Sequence, residues 1–154
     1  LQREYQGCGA AAAGVFFTQH TMHTVHVGDC RVTRLRDGRI EALTQDHSLL
    51  NEVLSMNIDL SEVKISEASM RNIITRALGF KEERVVDWAA HDVQPGDRIL
   101  LSTDGLHDAL DEITIAEIVY AHPHGAVTDA ADALLAAALE AETHDNVTLI
   151  LIEA

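Results

Sequence analysis

An α+β fold rich in antiparallel strands is what this sequence predicts, and three observations carry the expectation. Asp37-Gly38 stands between two extended stretches in RVTRLRDGRIEALTQ, the strongest short-range signal for a hairpin. Apolar residues at helical spacing appear after Asp46 and again between Asp111 and Glu142. The chain closes on NVTLILIEA, β-branched and apolar on both faces, which reads as a central or sandwich-core strand. No repeat, low-complexity linker or composition shift divides the sequence, so residues 1–154 are expected to form a single domain.

Taken in order, AAAAGVFFTQ (10–19) and HTVHVGD (23–29) are apolar-rich runs separated by polar residues, as adjacent strands would be. The Asp37-Gly38 hairpin follows. DHSLLNEVLSM then sets Leu49, Leu50, Val53 and Leu54 at helical spacing, with Ser48 as its cap. SEASMRNIITRALGF repeats the pattern through Ile73, Ile74, Ala77 and Leu78, with Gly79 as a stop signal. Between these two helices NIDLSEVKIS is poor in order signals and is expected to be mobile. Strands return in RVVDWAAHDV and, after a Pro95-Gly96 turn, in PGDRILLST. Two more helices are predicted, DEITIAEIVYAH with an apolar stripe of Ile115, Ile118 and Val119, and the alanine-rich TDAADALLAAALEAE, read as a packing helix.

Bulk composition bounds the function. A hydrophobic content of 47% in 154 residues is enough for a core, and 4% aromatics means that Ala, Val, Leu and Ile must build it. The formal charge of −14 argues against nucleic acid and anionic membrane as partners, since neither gains from an acidic surface. An acidic enzyme acting on phosphorylated substrates would need cations to screen its carboxylates. Cys8 and Cys30 form no C-x-x-C pair, so two free thiols in a reducing compartment are expected. No apolar run is long enough to span a bilayer and no signal peptide opens the chain, which gives a cytoplasmic expectation. The opening LQREYQG, without Met, reads as the tail of a helix in an N-terminally incomplete domain.

Three acids stand at strand ends: Asp29 after VHVG, Asp104 after ILLST, and Asp145 before NVTLILI. If those strands are neighbours, the carboxylates converge and repel one another unless cations sit between them. Mg²⁺ and Mn²⁺ favour such oxygen ligands. Gly28 and Gly105 would let the backbone turn sharply beside the ions. Taken singly, each acid is better read as part of a turn than as a metal ligand.

The series HVGDCRVTRLRDGRIEALTQDHSL, RNIITRALG, PGDRILLSTDGLHD and HDNVTLILIE resembles, in identity and order, the metal-dependent serine/threonine phosphatases of the 2C type, bacterial ones above all. The likeness runs from about Gly7 to the C-terminus and corresponds to the C-terminal two-thirds of that catalytic domain. It implies an α-β-β-α sandwich of two antiparallel sheets flanked by helices, here without its N-terminal strands. Asp104 and Asp145 would be ligands of a core metal, and Asp29 the ligand of a third, more weakly held ion. Asn146 would orient its neighbour or a water, Gly105 would support the site, and Asp108 and Asp46 would serve as structural hydrogen-bonding residues. Residues 47–78 match the flap beside the cleft. The implied chemistry is hydrolysis of phosphoserine or phosphothreonine on proteins, the targets of a Ser/Thr kinase. Water activated by two bridged Mn²⁺ or Mg²⁺ ions would attack directly, without a phosphoenzyme.

The family's metal-bridging Asp-Gly, within an Asp-Gly-Met/His-Gly-Gly motif, has no counterpart here, nor has the upstream Arg that holds substrate phosphate. Both Asp-Gly pairs of this chain, Asp37-Gly38 and Asp104-Gly105, are already assigned. The isolated chain is therefore expected to be inactive, with an unpaired sheet edge open to self-association. Cys30 replaces the usual Ser and is read as a passive substitute. A haloacid-dehalogenase reading fails because Ser102 stands where its nucleophilic Asp would be. His20, His23 and His26 are read as surface or sheet-packing residues, and His122 and His124 likewise. The rival in a different class is a non-catalytic regulatory or interaction module on the phosphatase scaffold.

Overall fold

The computed structural model describes residues 8–19, 21–57, 64–79 and 86–154. In chain order the elements are β1 (Ala12–Phe17), β2 (Thr21–Val27), β3 (Arg31–Arg36), β4 (Arg39–Ala42), α1 (Leu49–Ser55), α2 (Glu67–Arg71), β5 (Asp87–Asp92), β6 (Arg98–Ser102), α3 (Asp104–His107), α4 (Glu112–Ala121), α5 (Val127–Glu140) and β7 (Leu149–Glu153). Two antiparallel sheets organise them, one ordered β1-β2-β5 and the other β4-β3-β6-β7.

Local chemistry explains the turns. Asp37 and Gly38 both take positive φ, 51° and 76°, as a two-residue hairpin between right-twisted strands requires. Pro95 and Gly96 occupy the centre of a second turn, closed by Asp97 N–H donating to the Gln94 carbonyl at 3.1 Å, with Gly96 at φ 92°.

The period-2 alternation of β6 builds the core on both sides at once. Ile99 and Leu101 join Met22 and Val32 between the two sheets. Leu100 faces the other way, with Leu35, against Leu106, Ile115, Val119, Leu134 and Ala138 of α3, α4 and α5. Every residue of β6 is buried, including Arg98, whose guanidinium donates to the Val119 and His122 carbonyls and to Glu153. Arg34 and Arg36 of β3 reach Asp92 at the end of β5 and tie one sheet to the other. On the outer face of the three-stranded sheet Phe16, Val25 and Trp88 are exposed, and the Phe16 and Trp88 rings flank His23 with centroids 4.5 and 6.1 Å from it.

Two expectations need correction. The helix read across residues 66–79 stops at Arg71. Beyond it Ile74 bridges to Ser48, Leu78 bridges to Ala10, and Thr75 donates both its N–H and its Oγ1–H to the His47 carbonyl. Tertiary pairing claims a stretch whose β-branched Ile73-Ile74-Thr75 is itself a poor helix former. Of the two alternatives read for the closing strand, the central one is set aside, since among the described residues β7 ends its sheet, and the sandwich-core one holds. The strand is apolar on both faces because Leu149 and Leu151 meet the helices while Ile152 meets the other sheet. Most of the stretch expected to be mobile, 58–63, lies outside the described residues, as does His20.

Candidate metal centre

Strand register brings the three strand-end acids to one rim. Arg31 of β3 pairs with Ser102 of β6, and Ser102 pairs with Leu149 of β7. Asp29 just before β3, Asp104 just after β6 and Asp145 just before β7 therefore leave the sheet on the same side. All three line one open cavity of about 610 Å³, together with Asp46, Asp108 and Arg71. Arg71 comes from α2, and Asn72 and Ile74 beyond it line the cavity too.

The two central loops are built to touch. A Cβ on Gly105 would lie 2.5 Å from the Asn146 carbonyl oxygen and 3.3 Å from that of Asp145. Gly105 is therefore required for close approach, and not for the sharp turn expected of it, since it sits inside α3. Gly28 does take the left-handed conformation, φ 96°, and a Cβ there would meet Ala11. Thr143 Oγ1 donates to the Gly105 carbonyl at 2.8 Å and Thr103 Oγ1 to the Asn146 carbonyl at 3.2 Å. Asp104 Oδ1 accepts from Gly105 N–H, and Asp145 Oδ1 from Asn146 N–H. Each of these two acids thus bonds the N–H of the residue that follows it while its loop meets the other. The Asn146 side chain is exposed and does not line the cavity.

The acids crowd one another, and among the described residues Asp46 alone of them has a salt-bridge partner. Burial, reinforced by the charges of Asp104, Asp46 and Asp108, raises the pKa of Asp29 above the ordinary carboxylate value. Asp108 is raised as well, by burial and then by Asp104, and its carboxylate makes no side-chain hydrogen bond among the described residues. Asp46 is held in a bidentate pair by Arg31, at 2.9 and 2.6 Å. His107, bonded to Ser102 Oγ, is pushed down to about 4 by burial and the Arg31 charge. Burial and the neighbouring Asp29 push the Cys30 thiol up from its ordinary value.

This donor set suits hard divalent cations: carboxylate oxygens around an open, wettable cavity. Asp29, Asp104 and Asp145 do not have ligand atoms all within 4.8 Å of one another, so they do not form one cage, and separate hydrated ions would fit them better. The group among the described residues that does meet that distance is His26, His47 and Asp87. Sequence reasoning left it out. The signal available was the His of QDHS, placed directly beside the motif residue Asp46.

Comparison with known proteins places this fold among 2C-type phosphatase domains. Residues 63–154 match the family model of stage II sporulation protein E (SpoIIE). The chain belongs to this family of 2C-type serine/threonine phosphatase domains. It is 30% identical over 148 residues to protein phosphatase PhpP of Streptococcus pneumoniae, across 96% of this chain and 59% of that protein. The serine/threonine phosphatase PstP/Ppp of Mycobacterium tuberculosis superposes with a TM-score of 0.83 at 27% identity, over 99% of this chain and 63% of that one. The PstP catalytic domain in complex with two manganese ions gives 0.82 at 28%, over 99% and 61%. The chain thus spans about 59% of the length of the curated relatives it matches. No helix of the described residues is long and apolar enough to cross a membrane.

Proposed function

We propose that this chain carries part of the machinery for hydrolysing phosphoserine and phosphothreonine on proteins at a divalent-metal centre. The observation that supports this most is the convergence of Asp29, Asp104 and Asp145 on one cavity, none of the three holding a salt bridge among the described residues. Bound Mn²⁺ or Mg²⁺ would act there as a Lewis acid, lowering the pKa of water and screening phosphoryl charge. Asp104 and Asp145 would hold a core ion, with Gly105 allowing their loops to meet, and Asp29 would hold a further ion at the rim. Arg71 offers a guanidinium to the phosphate from the flap side of the cavity, and Arg31 keeps Asp46 fixed behind it. His107, neutral at pH 7, contributes a ring and no charge.

Two ions held rigidly together call for a bridging carboxylate, and neither Asp-Gly pair of this chain is free to supply it. Turnover is therefore assigned to the domain that includes the bridging motif. The test is hydrolysis of a phosphothreonine peptide with Mn²⁺, by this chain alone and by the chain joined to a segment bearing that motif, with EDTA and Asp104→Ala as controls. We expect turnover in the joined protein only, abolished by either control. Turnover that survives Asp104→Ala would sink the assignment. A joined protein that binds Mn²⁺ yet never turns over would favour a regulatory module.

A further inference from the structure

His26, His47 and Asp87 look at first like a second metal site, and their hydrogen bonds decide otherwise. Gly28 N–H donates to His47 Nδ1 at 3.1 Å, so Nδ1 presents its lone pair and the ring proton sits on Nε2. Nε2–H in turn donates to Asp87 Oδ2 at 3.1 Å. A metal takes a bare imidazole nitrogen, and His47 has none to give. Arg76 occupies the other Asp87 oxygen, Oδ1, at 3.1 Å.

Everything in the cluster instead converges on one residue. The Gly28 carbonyl accepts from the His47 backbone N–H at 2.8 Å and lies 3.0 Å from His26 Nε2, which donates to it. Both polar groups of Gly28 are thus gripped by two histidines that are each 3% exposed. Ala11 closes the remaining space, where a Cβ on Gly28 would come within 2.5 Å. Burial, helped by the neighbouring His47, lowers the pKa of His26 and keeps it a neutral donor. The residue that follows Gly28 is Asp29.

We propose that His47, oriented by Asp87, and His26 are positioning residues that clamp the Gly28 peptide and so aim the Asp29 carboxylate into the metal centre. The clamp rests on the reading of Asp29 as a metal ligand. Outer partners of this kind are worth about 10- to 100-fold in metal affinity.

Two readouts test it. Long-range ¹H–¹⁵N spectra report which ring nitrogen of His47 carries the proton; Nε2–H with a bare Nδ1 is expected, and a protonated Nδ1 overturns the clamp. Mn²⁺ titrations followed by the paramagnetic resonance of the free ion then compare three variants with the wild type. Asp29→Ala should lose one class of bound Mn²⁺. His47→Gln, which keeps a polar group near Asp87 but loses the acceptor for Gly28 N–H, should weaken that same class about 10- to 100-fold. His47→Asn, whose Oδ1 falls at the Nδ1 position, should recover most of the loss. A merely structural role would penalise both His47 variants alike, and that result overturns the proposal. Wild-type binding by His47→Gln alongside a defective Asp29→Ala also overturns it, while the ligand reading survives. Unchanged binding by Asp29→Ala removes the ligand reading and the clamp's purpose with it. Should His47→Gln fail to fold by circular dichroism, Asp87→Asn, at a half-exposed position, carries the same test: it must weaken the Asp29-dependent class and disturb the His47 tautomer.

Discussion

At Gly105 a single missing methyl group holds the site together. The Cβ that alanine would bring stands 2.5 Å from a backbone oxygen of the loop carrying Asp145 and Asn146, and a backbone atom cannot swing aside as a side-chain tip can. Either α3 or that loop must move, and Asp104 parts from Asp145. Gly105→Ala should destabilise the chain by about 1–3 kcal/mol, as forced overpacking does. Urea unfolding would show this as a lower midpoint with an unchanged slope. The same variant should bind Mn²⁺ more weakly, and full stability with full binding would mean that the two loops do not need their contact. The requirement at this position is legible in the sequence only as Asp-Gly, which announces a turn. The physical cause lies in a carbonyl some forty residues further on, and no local pattern reports it.

Elements read well wherever their causes are local. The Asp37-Gly38 hairpin, the Pro95-Gly96 turn and the Ser48 cap, whose Oγ accepts from Asn51 N–H, are each written within a few consecutive residues. Residues 72–79 failed because their partners are Ala10, His47 and Ser48, and the His26–His47–Asp87 clamp was invisible for the same reason. The Arg36–Asp97 strap, which joins β3 to the turn before β6 within one sheet, also depends on distant pairing. Arg36 forks onto Asp97 with two contacts of 2.6 Å, and Asp97, 1% exposed, also accepts from Gln94 N–H at 2.9 Å. Burial alone would raise the pKa of Asp97, but the Arg36 hydrogen bonds and Gln94 N–H outweigh it and hold it below its ordinary 3.8. Because the folded value is the lower one, this contribution is complete above pH 3.8 and is lost as pH falls through the folded value. Asp97→Asn should therefore cost, at pH 7, toward the lower end of about 3–5 kcal/mol, since Arg36 keeps Asp92. Its stability should also fall less steeply than wild type below roughly pH 4. Parallel acid limbs in the two proteins would show that the strap contributes nothing to acid sensitivity.

For the molecule as a whole, a formal charge of −14 means that folding gathers acids that the unfolded chain keeps apart. Any cation relieves part of that repulsion by screening, over a Debye length of about 10 Å at 0.1 M salt. A cation held by Asp104 and Asp145 does more, because it binds the folded chain and leaves the unfolded one alone. That linkage contributes about 2.7 kcal/mol when the free ion is at a hundred times its dissociation constant. For a chain of this size each kcal/mol moves Tm by about 2–4 °C. Thermal melts in Mn²⁺ should therefore exceed melts in NaCl of equal ionic strength by several degrees, roughly the product of those two figures at saturation. Asp104→Ala separates the two effects, since it removes the ligand while changing the net charge by a single unit. The variant should keep the NaCl response and lose the Mn²⁺ increment. If NaCl and Mn²⁺ stabilise the wild type equally, the crowded carboxylates are only a charged rim, and the metal centre has to be assembled from residues outside this chain.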